Sequence, residues 1–335
     1  MFLDNLSSPP LLFFFLGVFA VLVRSDLDVP GPIAKFLSLY LLFAIGFKGG
    51  VALAESTLDS AVWLTLLAVM ALSALVPLYS FFVLRLRFSV ADAAATAATY
   101  GSVSAVTFIT AAGYLTAQGV DWSGFMVAAM ALMESPAIIV GILLYTRFRE
   151  GAAGTSQNSQ GIDWPELLRE SCLNGSVLLI LGSMLIGWIT GPAGMLQVAP
   201  VVKELFLGIL CLFLLDMGIV AARRLKDLRR SIGGRGANAS PLPWMIGLAL
   251  LFPVINAGIS LAAGMLLNLN EGDLVLLTVL GASASYIAVP AAMRLALPEA
   301  NPSTYLPMSL AITFPFNLLI GIPVYHQLAR WLLAG

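Results

Sequence analysis

Two serine-containing motifs carry the residues of this chain that are best suited to bind a small ion. Gly101-Ser102-Val103-Ser104 lies in one apolar segment and Ala282-Ser283-Ala284-Ser285 in another, so that Ser102 and Ser283 are 181 positions apart. Serine hydroxyls and unpaired backbone N–H groups bind anions, whereas hydroxyl and carbonyl oxygens bind sodium. Either ion would need both motifs to face one point inside the protein.

The two motifs belong to a longer internal repeat. Asp92 precedes the first motif as Asp273 precedes the second, and further pairs recur at similar spacings. These pairs are Pro77 with Pro253, Phe36-Leu37 with Phe206-Leu207, and Gly141-Ile142-x-x-Tyr145 with Gly321-Ile322-x-x-Tyr325. A duplicated membrane unit with polar interruptions at matching places is typical of a transporter.

Each motif predicts a break in a membrane helix. Residues 96–107 and 278–290 hold small and hydroxylated side chains where leucine would be expected, and Pro290 removes a backbone donor. An unwound segment persists in hydrocarbon only inside protein or beside a water-filled cavity. Crossed half-helices would point their N-termini at a shared anion. The predicted anion-binding residues are Gly101, Ser102, Val103, Ser104, Ala282, Ser283, Ala284, Ser285 and Tyr286.

Close helix packing through small residues is the alternative explanation of one such motif. Its recurrence in register in both halves, beside a proline in the second, favours a binding site. Freed carbonyls and Ser/Thr hydroxyls of the same crossing would bind a hard cation such as sodium.

Three ionisable residues, Lys48, Glu134 and Asp216, fall deep within apolar segments. A charge in hydrocarbon is costly, so each is by default a functional residue. Lys48 would either pair with Asp216 or supply a positive charge to the anion site. Glu134 and Asn317, each beside a proline, would offer oxygen ligands. The predicted cation-binding or coupling residues are Thr99, Thr107, Glu134, Asn317, Lys48 and Asp216.

The composition requires a membrane to hold these elements. Hydrophobic residues make up 59% of the chain and charged residues 10%, and the mean hydropathy is +0.95. All three values depart strongly from those of soluble domains. A span needs about 20 apolar residues. Ten segments qualify: 9–24, 32–54, 61–84, 90–117, 123–146, 168–190, 199–221, 242–268, 273–296 and 304–333.

The positive charges predict the orientation of these spans. Of the 17 lysines and arginines, Lys48 is embedded and only Lys203 and Arg330 adjoin loops after even-numbered spans. The positive-inside rule then places the odd loops in the cytoplasm and both termini outside. Five spans per half is an odd number, so the second half enters with inverted orientation. The predicted units are 1–149, a cytoplasmic linker 150–167 and 168–335.

Other features of the chain add little chemistry. The isolated Cys172 and Cys211 give neither metal-ligand spacing nor a disulfide framework. His326, the only histidine, is expected to be an ordinary interfacial residue.

The basic segment 222–240 would anchor to anionic lipid or dock a cytoplasmic regulator. No Ser/His/Asp set, metal cluster or phosphate-binding loop points to an enzyme, and nothing points to nucleic acid.

At these motifs the chain resembles the cyanobacterial sodium-dependent bicarbonate permease family over nearly its whole length. The residues that carry the resemblance are Gly101–Ser104, Glu134-Ser-Pro136, Ala282–Pro290, Pro298–Ser303 and Tyr305. The resemblance implies ten spans in a five-plus-five inverted repeat and sodium-driven bicarbonate uptake. It also implies a homotrimer in the plasma (inner) membrane, an elevator with spans 3–5 and 8–10 as core and spans 1, 2, 6 and 7 as panel, and a PII-like cytoplasmic regulator.

The chain departs from the family pattern at three positions. Tyr286 and Glu134 stand where that pattern has aspartates, and Lys48 stands where it has a neutral hydroxyl. The leading hypothesis is uptake of bicarbonate with sodium as coupling ion and without a cofactor. Proton-coupled or exchange transport of another small anion is the second hypothesis, and a cation/proton antiporter is the third.

Overall fold

The computed structural model describes residues 8–55, 60–149, 175–233 and 242–334, and all regular structure within these ranges is helical. Seven helical segments there are long and apolar enough to cross a membrane. This agrees with the prediction of an all-helical polytopic membrane protein. The linker 150–167, Cys172 and residues 234–240 of the basic segment lie outside the described residues.

Thirteen helices are labelled here in chain order. They are α1 Pro9–Leu22, α2 Gly31–Ala54, α3 Ser60–Leu84, α4 Val90–Gly101, α5 Ala105–Ala117, α6 Phe125–Leu132, α7 Glu134–Phe148, α8 Gly175–Ala199, α9 Phe206–Gly233, α10 Leu242–Leu266, α11 Glu271–Ala282, α12 Ala288–Ala296 and α13 Pro302–Ala334. The turn Pro200–Glu204 extends α8 as a π-helix, and α13 contains two further π-helical stretches.

The helix is interrupted at both serine motifs, over shorter stretches than predicted. α4 ends at Gly101 and α5 begins at Ala105, while α11 ends at Ala282 and α12 begins at Ala288. Pro290 lies within the first turn of α12, directly after the second interruption. Proline fits there because the first N–H groups of a helix have no intrahelical partner.

The predicted start of the seventh span at residue 199 was wrong. A helix ends at Gly191, next to the predicted end of the sixth span, but a second helical stretch follows it as far as Glu204, and α9 begins at Phe206. Gly191 takes a left-handed φ of 56°, so the chain kinks there and re-enters the helix at Pro192. Glycine tolerates this conformation at no steric cost, and proline suits a helix start.

The basic segment is partly a helix and not the loop that was expected. α9 continues through Arg223 and Arg224 to Gly233. Arginine, lysine and leucine favour helix, and the first helix-breaking residues are the glycines at 233 and 234.

The helix contacts come in matching pairs from the two halves. α1 packs along α9 as α2 packs along α8, and α3 packs on α4 as α10 packs on α11. The first halves of the broken helices are deeply buried. Every residue from Ala93 to Gly101 in α4 and from Gly272 to Ala282 in α11 is buried.

Large apolar side chains cover the outside of the described helices. Leu266, Leu196 and Ile189 are 84%, 80% and 72% exposed, and Leu67 and Trp63 on α3 are more than half exposed. A soluble protein would not expose so many such residues in contiguous patches. Hydrocarbon is therefore the natural solvent of this surface.

Candidate functional site

The two helix breaks touch each other at the centre of the protein. The Ser104 N–H donates to Ser283 Oγ at 3.0 Å, and the Ser285 N–H donates to the carbonyl of Thr99 at 2.9 Å. All four residues are buried. The motifs that lie far apart in sequence are thus directly hydrogen-bonded, as the interpretation of a shared site requires.

In each helix that follows a break, a first-turn N–H group donates to a motif serine. Ser104 Oγ accepts from the Thr107 N–H at 3.2 Å at the start of α5, and Ser285 Oγ accepts from the Val289 N–H at 3.3 Å at the start of α12. A helix leaves its first four N–H groups without intrahelical partners and carries partial positive charge there. The centre of the protein therefore gathers N–H donors from two helix ends.

A small cavity lies at these two helix starts. Its volume of about 30 Å³ gives room for about two water molecules. Its lining comes from both breaks, from Glu134, and from the helices α2, α8 and α9 that face them. The lining residues are Ser38, Leu41, Leu42, Val103, Ser104, Ala105, Val106, Ile109, Glu134, Ser176, Phe213, Ser285, Tyr286, Ile287 and Ala288.

Tyr286 places a buried hydroxyl group beside the cavity. Its side chain is 9% exposed, and its ring packs edge-on against Phe314 at 5.6 Å between centroids. The hydroxyl interacts with Ser104 but meets the geometry of a hydrogen bond with none of the described residues. A buried hydroxyl without a partner is costly, so a ligand that accepts or donates here would be stabilised.

The predicted anion-binding residues divide into two groups. Val103, Ser104, Ser285 and Tyr286 line the cavity. The others do not line the cavity but are buried where the two helix breaks pack together. They are Gly101, Ser102, Ala282, Ser283 and Ala284.

The residues behind the cavity have identifiable structural contacts. A β-carbon on Gly101 would collide with the ring of Pro77, so only glycine lets α4 approach α3 this closely. Ser283 Oγ donates to the carbonyl of Leu280 at 2.8 Å. Ser102 Oγ lies 3.4 Å from the carbonyl of Glu134, a long hydrogen bond.

The predicted cation-binding residues are not brought together as one set. Glu134 lines the cavity, but the Asn317 side chain donates to the carbonyl of Ala282 at 2.7 Å and accepts from Tyr325 at 3.1 Å. Thr99 Oγ1 donates to its own helix at Ala95, and Thr107 contributes its N–H to the cap of α5. Of this set, Glu134 alone lines the described cavity.

The ion pair between Lys48 and Asp216, one of the two roles predicted for Lys48, does not form among the described residues. Lys48 Nζ lies 4.1 Å from the ring centroid of Phe206, and neither residue has a salt bridge among the described residues. Asp216 is 6% exposed, and the charges that act on it are those of Asp28 and Arg223.

Sequence reasoning missed the wall of the cavity that faces the breaks. Ser38 on α2, Ser176 on α8 and Phe213 on α9 carry no motif, and nothing in their spacing marks them. His326, which was predicted to be an ordinary interfacial residue, is enclosed by other parts of the protein. It is 2% exposed, and its ring nitrogens bond Tyr114 at 3.1 Å and Glu271 at 2.7 Å.

Two repeat-related aspartates fasten the first halves of the broken helices. Asp273 at the start of α11 accepts from the Ser123 N–H at 2.7 Å, Ser123 Oγ at 2.6 Å and Asn270 Nδ2 at 2.7 Å. Asp92 at the start of α4 accepts from the Asn301 N–H at 2.7 Å and from Ser89 at 2.9 Å. Each aspartate thus holds the other half of the chain.

We expect Asp273→Ala to destabilise the protein by about 3 kcal/mol, because three donors lose a buried carboxylate. Asp92→Ala is expected to cost less, since Asp92 has two such partners and is less buried. Thermal unfolding in detergent, followed by size-exclusion fluorescence, would measure both. Equal melting temperatures for the two variants would contradict the difference.

Comparisons with known proteins give one family. The model of the Na+-dependent bicarbonate transporter superfamily matches residues 9–330, nearly the whole chain. A search of curated proteins finds no match.

Proposed function

The chain belongs to the Na+-dependent bicarbonate transporter superfamily, and from that premise we propose that it imports bicarbonate together with sodium by alternating access. The observation that carries this proposal is the central cavity. Two helix N-termini capped by Ser104 and Ser285 open on it, beside the carboxylate-bearing Glu134.

The cavity suits a small oxyanion. Bicarbonate has one negative charge and three oxygens, which match N–H donors from two helix starts and a few hydroxyls. The hydroxyls of Ser104, Ser285 and Tyr286 provide those donors. Apart from Ser38, Ser176 and Glu134, the remaining lining is aliphatic or aromatic, so a larger polar substrate would leave some of its groups unpaired.

Glu134 gives the physical reason for sodium coupling. An ionised carboxylate on the wall of a small buried cavity repels a second anion strongly, because the local dielectric constant is low. A sodium ion at Glu134 would cancel that repulsion and accept oxygen ligands from the same carboxylate. Bicarbonate would then bind well only when sodium is present, which is the coupling that a symporter needs.

The ends of α13 support the inverted repeat that we propose. Near its start, Asn301 bonds Asp92 at the beginning of α4, and near its end His326 bonds Glu271 at the beginning of α11. The two broken helices therefore begin at opposite ends of α13 and run in opposite directions. That arrangement brings the N-termini of their second halves, α5 and α12, to the middle.

We propose the ten spans by counting α1 and the two broken helices with the seven long segments. α1, α2, α8 and α9 would form the panel, and the remaining helices would form the core, which moves as an elevator. Contacts of α1 with α9 and of α2 with α8 support this grouping. We further propose that the protein is a homotrimer in the plasma (inner) membrane with both termini outside. A PII-like regulator would bind at its cytoplasmic face.

Transport by the purified full-length protein in proteoliposomes tests the function. We expect labelled bicarbonate to accumulate when sodium is higher outside, and a pH gradient alone to drive none. Sodium and pH gradients would be imposed independently, with empty liposomes as the control. Uptake that continues undiminished without sodium would reject the symport and favour proton-coupled or exchange transport.

Gly101→Ala tests the close packing of α4 on α3 at the first helix break. Its new methyl group would meet Pro77 and the carbonyl of Ser73, so α4 would have to shift from α3. We expect bicarbonate uptake to fall at least tenfold, in line with the cost of about 1–3 kcal/mol for overpacking a core. Gly113→Ala, where the nearest atom would lie at 3.4 Å, is the matched control. Similar uptake by both variants would contradict the tight crossing.

A further inference from the structure

Lys48 is a charged side chain within an apolar helix, and none of the described residues forms a salt bridge with it. It lies on α2 and is half-buried, with its ammonium 4.1 Å from the ring centroid of Phe206 on α9. Within the described ranges no carboxylate lies within 4.0 Å of it. A cation–π contact lowers the cost of such a charge but does not neutralise it.

The position of Lys48 relates it to the central cavity. Leu41 of α2 and Phe213 of α9 line the cavity, and Lys48 and Phe206 lie seven residues from them on the same faces of their helices. Seven residues are two helical turns, or about 10 Å. Lys48 and Phe206 therefore lie side by side about two turns from the cavity.

α5 is the third helix that extends from the cavity toward Lys48, beside α2 and α9. Ile109 lines the cavity, and Gly113 follows it by one turn on the same face. A β-carbon on Gly113 would lie 3.8 Å from the Phe206 ring and 3.4 Å from Leu210. The faces of α2, α5 and α9 that line the cavity thus continue together to Lys48.

We propose that Lys48 and Phe206 form a second anion-binding site, at which a small inorganic oxyanion pauses between the outer solution and the cavity. The proposal rests on the proposed function and on the orientation in which α2 ends at the outer face. An unpaired ammonium in surroundings of low dielectric constant attracts anions and repels cations. Lys203, whose charge acts on Lys48, adds to this positive field.

The cation–π contact explains why the site would release its ligand. Phe206 holds one side of the ammonium, and the N–H donors of the other side remain for the anion. A guanidinium or a lysine pair would bind the anion more tightly and slow its passage to the helix N-termini. A single ammonium on a ring is suited to brief capture.

Lys48→Met tests the proposal because it keeps the length of the side chain and removes its charge. We expect the KM for external bicarbonate to rise about tenfold while the maximal rate stays within twofold, and the KM to lose its dependence on ionic strength. Lys48→Arg should keep a low KM. Lys35→Met, at an exposed position near the start of α2, is the matched control and should change KM by less than twofold. An unchanged KM in Lys48→Met would overturn the site.

Lys48→Cys keeps the test decisive if Lys48→Met folds poorly. The folded variant would be treated from outside with methanethiosulfonates that add either a cationic or an anionic group. The cationic reagent should restore a low KM and the anionic one should raise it further, with the wild-type chain as control for Cys172 and Cys211. Equal effects of both reagents, or reaction from the inner side alone, would overturn the proposal.

These outcomes are separable from failure of the proposed function. If wild-type uptake proves independent of sodium, the symport is rejected, yet the KM comparison between Lys48→Met and the wild type still applies to whichever small anion is carried. If sodium coupling holds and the KM values agree, the symport stands and the second site is rejected.

Discussion

Glu134→Gln is expected to lower sodium-driven bicarbonate uptake about thirtyfold and to remove most of its dependence on sodium. Glu134 lines the central cavity, and glutamine keeps the size of its side chain but loses the charge that would hold the cation. An interaction of an ion with a charged group contributes about 2 kcal/mol, which corresponds to that factor. The measurement is initial uptake in proteoliposomes over a range of sodium concentrations.

Glu299→Gln is the matched control for this substitution. Glu299 is exposed and accepts from Tyr145 at 3.0 Å, away from the cavity. It should leave the sodium dependence unchanged. If Glu134→Gln instead retained full sodium activation, the coupling site would lie elsewhere, and the repulsion argument for symport would fail.

Removing the Ser285 hydroxyl should have the second large effect. Ser285→Ala deletes a donor at the cavity and the cap of the Val289 N–H, so we expect uptake to fall about tenfold through a higher KM for bicarbonate. Loss of a helix cap alone costs about 1 kcal/mol. Uptake kinetics should be compared at equal amounts of folded protein, measured by size exclusion.

Substitutions at two other buried serines, Ser102 and Ser80, distinguish a loss of anion binding from a loss of helix packing. Ser102 is buried behind the cavity with one long hydrogen bond, and Ser80 is buried on α3 and bonds its own helix. Ser102→Ala and Ser80→Ala should each change the KM by less than threefold. A loss as large in Ser102→Ala as in Ser285→Ala would show that the motifs act through packing.

The largest corrections to the sequence analysis concern side chains that it grouped together. Lys48 and Asp216 occur in repeat-related spans, yet Lys48 lies on Phe206 while Asp216 lies nearer Asp28 and Arg223. Asn317 was expected beside a cation and instead bonds the end of α11. Matching positions in a repeat indicate the same span, but not the direction in which a side chain points.

The predicted ends of the spans were least accurate next to glycine and proline, where a helix can resume after a kink. Gly191-Pro192 would be expected to end a helix, but a kinked path carries on to Glu204. Pro290, by contrast, lies in the first turn of a helix that restarts at Ala288. Composition locates glycine and proline, whereas the neighbouring helices decide whether the chain stops, kinks or restarts at them.

The sequence by itself determined the apolar helices, the repeat, and the two serine motifs where the helix is interrupted. Those properties depend on residue type and spacing along the chain, which hydrophobic length and backbone satisfaction translate directly into structure. Only the tertiary structure decided which motif residues reach the cavity: Ser104, Ser285 and Tyr286 do, and Ser102 and Ser283 do not. The reason is that a cavity is bounded by faces of several helices at once, and its far wall, from Ser38 to Phe213, is set by packing between segments distant in sequence.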